Sequence, residues 1–203
     1  MSTIWNPAFR LVLASGSGTR QRLLQSAGLP FVAMTADVDE RAIEAAQTEI
    51  EAAELAIALA KAKALWVARA APGALVIGAD QVLSLGEIII HKSATKEAGL
   101  QTLLSLSGKT HRLTSAFALV RDGQLLATEA DTAEMTMRAL EEGVLRLYLE
   151  AAGSNVLSSV GVYQWEGFGV HLFSRVEGNH STILGLPMLK LLAALRALGA
   201  VKI

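Results

Sequence analysis

Two parts of this chain carry residue types that suit phosphate chemistry. In Leu11–Arg20 a short apolar stretch ends in Ser15-Gly16-Ser17-Gly18-Thr19-Arg20. A strand, then small residues, then a helix aims backbone N–H groups and the helix's positive end at one point, which is an anion site. Ser15, Ser17 and Thr19 add hydroxyls, and Arg20 adds a planar fork matched to phosphate oxygens. The stretch is neither a Walker A loop nor GxGxxG, and on its own it also reads as an ordinary strand-to-helix turn capped by a serine. Asp80 follows the apolar run Ala74–Ile77, so its carboxylate is expected to emerge at a strand's end, where α/β proteins place their sites. It could position or deprotonate water, or hold a divalent cation; a turn or capping aspartate is the other reading.

Other candidates are cations and carboxylates. Asp39 and Glu40, which come just after Asp37, can hold Mg²⁺ or simply open the helix that begins near Arg41. Lys61 and Lys63 point in different directions on one helix, so at most one faces a given cleft. Lys92 is a loop cation or a solvated one. His111 is a general base or a structural histidine. No histidine-rich or carboxylate spacing marks a transition-metal site.

The whole chain narrows these choices. Its 203 residues can bury a full core, as one domain or as two lobes sharing a cleft. Apolar residues make up 52% and charged residues 18%, so disorder is excluded. No cysteine is present, which removes disulfides and thiolate metal sites. A net charge of −1 gives no footprint for nucleic acid, so any phosphate ligand must meet a local cluster of cations. No run of about 18 uncharged apolar residues predicts a membrane span. Met1–Arg10 lacks a basic region followed by an apolar core, so a cytoplasmic setting is expected.

The elements that must position these residues follow from periodicity and punctuation. Strands are predicted at Leu11–Ala14, Phe31–Met34 and Ala74–Ile77. Gln81–Ile90 resembles a hairpin turning at Leu85-Gly86-Glu87. Arg112–Val120 and Gln124–Met137 read as paired strands around Arg121-Asp122-Gly123. Helices are predicted at Arg20–Ala27, stopped by Gly28, and at Arg41–Ala70, where Ile43, Ile50 and Ile57 recur every seven residues before Pro72-Gly73. Further helices are predicted at Thr95–Leu106, Glu141–Ala151 and Leu186–Leu198, with Pro187 near the start of the last. Val160–Phe173 reads as strand and loop. The alternation predicts an α/β fold with a mixed sheet.

In this order the pieces resemble the Maf family of nucleotide pyrophosphatases. The family's Leu-Ala-Ser-x-Ser-Pro-Arg-Arg-x-x-Leu-Leu is similar to LASGSGTRQRLL at Leu13–Leu24. Its later Asp-Glu falls on Asp39-Glu40. Its Leu-Ala-x-x-Lys-Ala falls on Leu59–Ala64, which picks out Lys63 over Lys61. Its Gly-Ala-Asp falls on Gly78–Asp80, its Lys-Pro on Lys92-Ser93, its Leu-Ser-Gly-x-x-His on Leu106–His111, and its Gly-Leu-Pro on Gly185–Pro187. The resemblance runs from residue 11 to about 198. It implies a twisted mixed sheet with flanking helices and a central cleft, as in inosine triphosphate pyrophosphatases. It also implies release of pyrophosphate and a nucleoside monophosphate by water attack at the α-phosphorus with a divalent cation, Mg²⁺ or Mn²⁺. Asp80 would be the proton acceptor. Ser15, Ser17, Arg20, Lys63 and Lys92 would hold the phosphates, and Glu40 with Asp80 would hold the metal.

The chain departs from the family pattern in places. Gly18-Thr19 stands where the family has Pro-Arg, so one phosphate-binding cation is missing. Ser93 replaces the proline after Lys92, and Gly153-Ser154-Asn155 replaces a Gly-Glu-Pro tract. At the positions tied to the base, Gln81 and Glu166 resemble the branch acting on 7-methylguanosine triphosphate, although that branch usually has tryptophan where Thr19 stands. The branch acting on thymidine and uridine triphosphates has threonine and glutamine at the first two. A carboxylate only accepts, so Glu166 suits the N1–H and N2–H of guanine or a cationic methylated base. Glu166 as a rim residue paired with a cation is the other reading. Two further readings stay open: a thymidine or uridine triphosphate pyrophosphatase, and a nucleotide-binding regulator of division without turnover. The exposed side of the alanine-rich helix meets either solvent or a second copy in a homodimer.

Overall fold

The computed structural model describes residues 4–46 and 50–203. In chain order the elements are β1 (Leu11–Ala14), α1 (Gly18–Ser26), β2 (Phe31–Ala33), α2 (Glu40–Ala45), α3 (Ala52–Ala68), β3 (Leu75–Leu85) and β4 (Ile88–Ile90). Then come α4 (Lys96–Leu106), β5 (Thr110–Arg121), β6 (Gln124–Met137), α5 (Glu142–Ala152), β7 (Phe173–Glu177), α6 (His180–Ile183) and α7 (Met188–Ala197). Three 3₁₀ turns lie between α5 and β7.

The strands form one mixed sheet in the order β2-β1-β3-β5-β6-β7, with β4 also on β3. β1 is parallel to β2 and β3, and the remaining pairs are antiparallel. This is the expected mixed α/β fold. One face packs Leu75, Ile77, Ala79 and Phe117 with Leu24 of α1 and Leu191 and Leu195 of α7. The opposite face packs Val76, Val82, Ala116 and Ala118 under the alanines of α3. The far ends of β3, β5 and β6 enter a third cluster with α4, α5 and the 3₁₀ turns.

The alanine-rich composition of α3 has a structural purpose. With Ala60 and Ala64 facing the sheet, the helix comes so close that a Cβ on Gly78 would overlap the Ala60 carbonyl oxygen. The paired strands β5 and β6 turn at Asp122-Gly123, both at positive φ, as the Arg121-Asp122-Gly123 signal predicts. Gly28, also at positive φ, follows the last residue of α1's C-terminal cap.

Three expectations fail. Arg41–Ala70 is not one helix: α2 ends at Ala45 and α3 starts at Ala52, and part of the joint, residues 47–49, lies outside the described residues. The seven-residue recurrence arises because Ile43, Ile50 and Ile57 all pack on one core from separate segments. Asp80 is not at a strand's end either, because β3 runs unbroken through Gly78-Ala79-Asp80 to Leu85. Glycine there answers the close approach of α3 and does not stop the strand. The segment expected as strand and loop, Val160–Phe173, holds 3₁₀ turns up to Leu172, and β7 begins only at Phe173.

Candidate active-site cleft

The sheet has a gap at its centre. On one edge of β3, β1 pairs as far as Gly78 and β4 starts only at Leu83, while β5 covers the other edge. Ala79–Val82 therefore have no neighbouring strand on that side, and a cleft of about 1170 Å³ opens there. Asp80, though mid-strand, stands at the end of a strand, that of β1.

Side chains in this gap alternate along β3. Asp80 lies on the α3 face with Gly78 and Val82, and Gln81 lies on the other. Lys63 comes down from α3, one residue before Ala64. Its Nζ donates to Asp80 Oδ1 at 2.5 Å and to Glu40 Oε1 at 2.7 Å. Both Lys63 and Asp80 are largely buried, with side chains 12% exposed. An ammonium has three donors, so one remains for a ligand. Lys61 is exposed. Asp39 caps α2 through a bond from Ala42 N to its Oδ1 at 3.0 Å, which frees Glu40 to face Lys63. Asp37 does not line the cleft.

The loop after β1 forms the opposite wall. Ser17 is the N-cap of α1, accepting from Arg20 N at 3.4 Å. Ser15 Oγ accepts from Ser17 N and from Arg20 Nη1, both at 3.2 Å. Arg20 Nε donates to Gly185 O at 2.7 Å, which ties this loop to the segment before α7. Gly18 and Thr19, the first residues of α1, line the same opening, and their N–H groups lack intrahelical acceptors, as in an anion site. Burial pulls the Arg20 pKa down, opposed by Asp80 and Glu40. Burial pushes the Glu40 carboxyl up, but its hydrogen bond to Lys63, with the charges of Lys63, Lys92 and Arg20, holds it below its ordinary value. Lys92 lines the cleft as an exposed side chain.

The outer end of the cleft holds the remaining candidates. Glu166 Oε2 accepts from Arg22 Nη2 at 3.3 Å, and the same nitrogen donates to Thr19 Oγ1 at 3.0 Å. Glu166 is thus a cation-paired rim residue, with its Oε1 making no hydrogen bond among the described residues. Gln81 Nε2 is committed to Ser115 Oγ at 3.1 Å and to the carbonyls of Thr182 and Ile183 at 3.0 Å, so it binds α6 to β3. Only its carbonyl oxygen is left to read a ligand.

His111 is not in the cleft. It is 1% exposed, bonds Tyr163 Oη through Nε2 at 2.6 Å, and burial pulls its pKa to about 4. The general-base reading of His111 is therefore overturned: a neutral histidine in the core is out of reach of any ligand. Sequence reasoning missed Arg22, Tyr163 and Trp165, all lining the cleft. Arg22 was within reach, since it lies three residues after Thr19 and so on the same helical face.

These walls define a class: an α/β protein whose central gap brings Arg20, Lys63 and Lys92 together with the carboxylates of Asp80 and Glu40. Comparison with known proteins places it further. The chain belongs to the Maf family, whose model, described as Maf-like protein, matches residues 10–198. A relative from Bradyrhizobium diazoefficiens called nucleoside triphosphate pyrophosphatase is 47% identical over 194 residues, 96% of each chain. Another from Mesorhizobium japonicum, called 7-methyl-GTP pyrophosphatase, is 49% identical, over 95% of this chain and 98% of the relative. A solved nucleoside-triphosphatase / dITP/XTP pyrophosphatase from Mycobacterium abscessus covers 95% of this chain and 97% of its own at 17% identity, with a TM-score of 0.45.

Proposed function

We propose that this chain, acting as one catalytic domain, hydrolyses nucleoside triphosphates to a nucleoside monophosphate and pyrophosphate. One observation carries this reading: Lys63 sits between Asp80 and Glu40 in a gap that Arg20, Ser15 and Ser17 face from the other side. In this mechanism Arg20, Lys63, Lys92 and the α1 N-terminus hold and orient the phosphates. Asp80 accepts the proton of a water whose oxygen bonds the α-phosphorus, and the α–β bridging oxygen leaves with pyrophosphate. Asp80 Oδ2 makes no hydrogen bond among the described residues, so an acceptor lone pair remains free.

The donor set fits a divalent cation. Two carboxylates converge on one point, now bridged by Lys63, and Mg²⁺ is commonly bound by one or two carboxylates plus substrate phosphates. No cluster of three or more acidic or histidine side chains occurs among the described residues, so the other ligands would be phosphate or water oxygens. Among the described residues five cations line the cleft (Arg20, Arg22, Arg41, Lys63 and Lys92) against four carboxylates (Glu40, Glu44, Asp80 and Glu166). That surplus of one cannot neutralise the roughly four negative charges of a triphosphate. When bound, Mg²⁺ or Mn²⁺ supplies charge neutralisation and Lewis-acid polarisation of the phosphates.

For the base, the reading is guanine or 7-methylguanine, because Glu166 keeps one acceptor oxygen at the outer end of the cleft. The relatives named for 7-methyl-GTP agree with this choice. The test is a pyrophosphate-release screen with Mg²⁺ over standard and methylated nucleoside triphosphates. Fastest turnover of the guanine substrates is expected. Release from none would contradict the reaction, and preference for thymidine or uridine triphosphate would contradict the base.

A further inference from the structure

We infer that Trp165 is the stacking platform for the substrate's base, an inference that rests on the proposed nucleotide site. A base carries a flat π-face that polar contacts alone leave unsatisfied, so a nucleotide site needs an aromatic or apolar wall. Among the described residues, Tyr163 and Trp165 are the only Phe, Tyr or Trp side chains that line the cleft. Tyr163 is 4% exposed, and its hydroxyl is engaged by His111 at 2.6 Å, so its ring belongs to the core. Trp165 is half-buried, and part of its indole is left to the cleft.

The indole is held in place by a chain of ring contacts. Trp165 meets Phe173 edge-to-face at 5.8 Å, and Phe173 meets Tyr163 edge-to-face at 4.8 Å. His111 in turn touches both Tyr163 and Phe173. Such packing fixes a platform before a ligand arrives, which lowers the ordering cost of binding. Glu166 follows directly in sequence, held on the same rim by Arg22. Both residues line the cleft, so the indole and a carboxylate oxygen are offered within one site. The pairing of an indole face with an anion also suits a cationic base, since both attract the positive ring.

The deciding comparison is wild type against Trp165→Ala and Trp165→Phe, with thermal melts to confirm folding. Trp165→Ala is expected to raise KM for guanosine triphosphate roughly tenfold and KM for 7-methylguanosine triphosphate by more. Trp165→Phe should restore most of the loss. Inorganic tripolyphosphate, which has the phosphates and no base, should inhibit Trp165→Ala as well as it inhibits wild type. An unchanged KM, or a parallel loss of tripolyphosphate affinity, would overturn the platform. Calorimetry with guanosine triphosphate and Ca²⁺ reads the same difference without turnover. A chain that binds nucleotide through Trp165 but hydrolyses none would contradict the reaction and leave the platform standing.

Discussion

Gly78 and Ala64 are in such close contact that a Cβ on the glycine would stand 2.7 Å from the Ala64 nitrogen and 2.9 Å from its Cβ. This approach sets the height of α3 above the sheet, and with it the reach of Lys63 to Asp80. A methyl group at residue 78 must therefore push the helix outward. Gly78→Ala is expected to cost about 2 kcal/mol or more of stability and to abolish most pyrophosphate release. Urea unfolding and activity on the same sample check this; an unchanged midpoint with full activity would contradict it.

Lys63 neutralises two carboxylates that would otherwise face each other in a largely buried gap. Removing it leaves uncompensated charge and, on the proposed mechanism, deletes a phosphate donor. Lys63→Met is expected to lower kcat/KM by about a hundredfold or more. Lowered pH should restore little of this, because on the proposed mechanism protonating the carboxylates also removes the proton acceptor and the groups that would hold the metal. A pH–rate profile of the variant tests both statements.

The Arg22–Glu166 pair is exposed, with side chains 62% and 45% accessible. Exposed pairs contribute roughly 0–1 kcal/mol, so Arg22→Ala should leave the melting temperature within a degree or two. Its effect should appear in the choice of base. The kcat/KM ratio of guanosine to uridine triphosphate is expected to fall in Arg22→Ala and further in Glu166→Gln. Equal ratios in all three proteins would show that neither residue reads the base.

Acid should weaken the fold through His111. Well above pH 6.5 the imidazole is neutral both folded and unfolded. Below that value the unfolded chain takes up a proton, which the folded chain does not bind until about pH 4. Stability therefore falls with pH across that window, by at most about 3 kcal/mol. Wild type is expected to lose more stability between pH 7 and pH 5 than His111→Gln does, as read by urea midpoints.

The sequence shows elements whose signals are local. Asp122-Gly123 can accept positive φ, so the β5–β6 hairpin is legible, and Ser17 and Thr95 mark helix starts because their hydroxyls cap the first turns. The loop between β1 and α1 is legible for the same reason. What is hidden depends on contacts between distant segments. Gly78 looks like a strand stop, yet its cause is the backbone of α3. Lys63 and Lys61 are equivalent by composition, and only the placement of Ala60 and Ala64 on the sheet decides which faces Asp80. Gln81 looks free to read a base, but the carbonyls of α6, about a hundred residues later, occupy its nitrogen. His111 shares a family motif with the cleft residues, but its partner Tyr163 draws it into the core.

The central claim is that Asp80 accepts the proton in pyrophosphate release. Asp80→Asn keeps the size and the hydrogen-bond contact to Lys63 while removing the basic oxygen. Single-turnover pyrophosphate release should fall at least a thousandfold in Asp80→Asn with saturating Mg²⁺ and guanosine triphosphate, while the variant melts cooperatively and still binds the nucleotide by calorimetry. A folded Asp80→Asn protein with wild-type turnover would contradict the account.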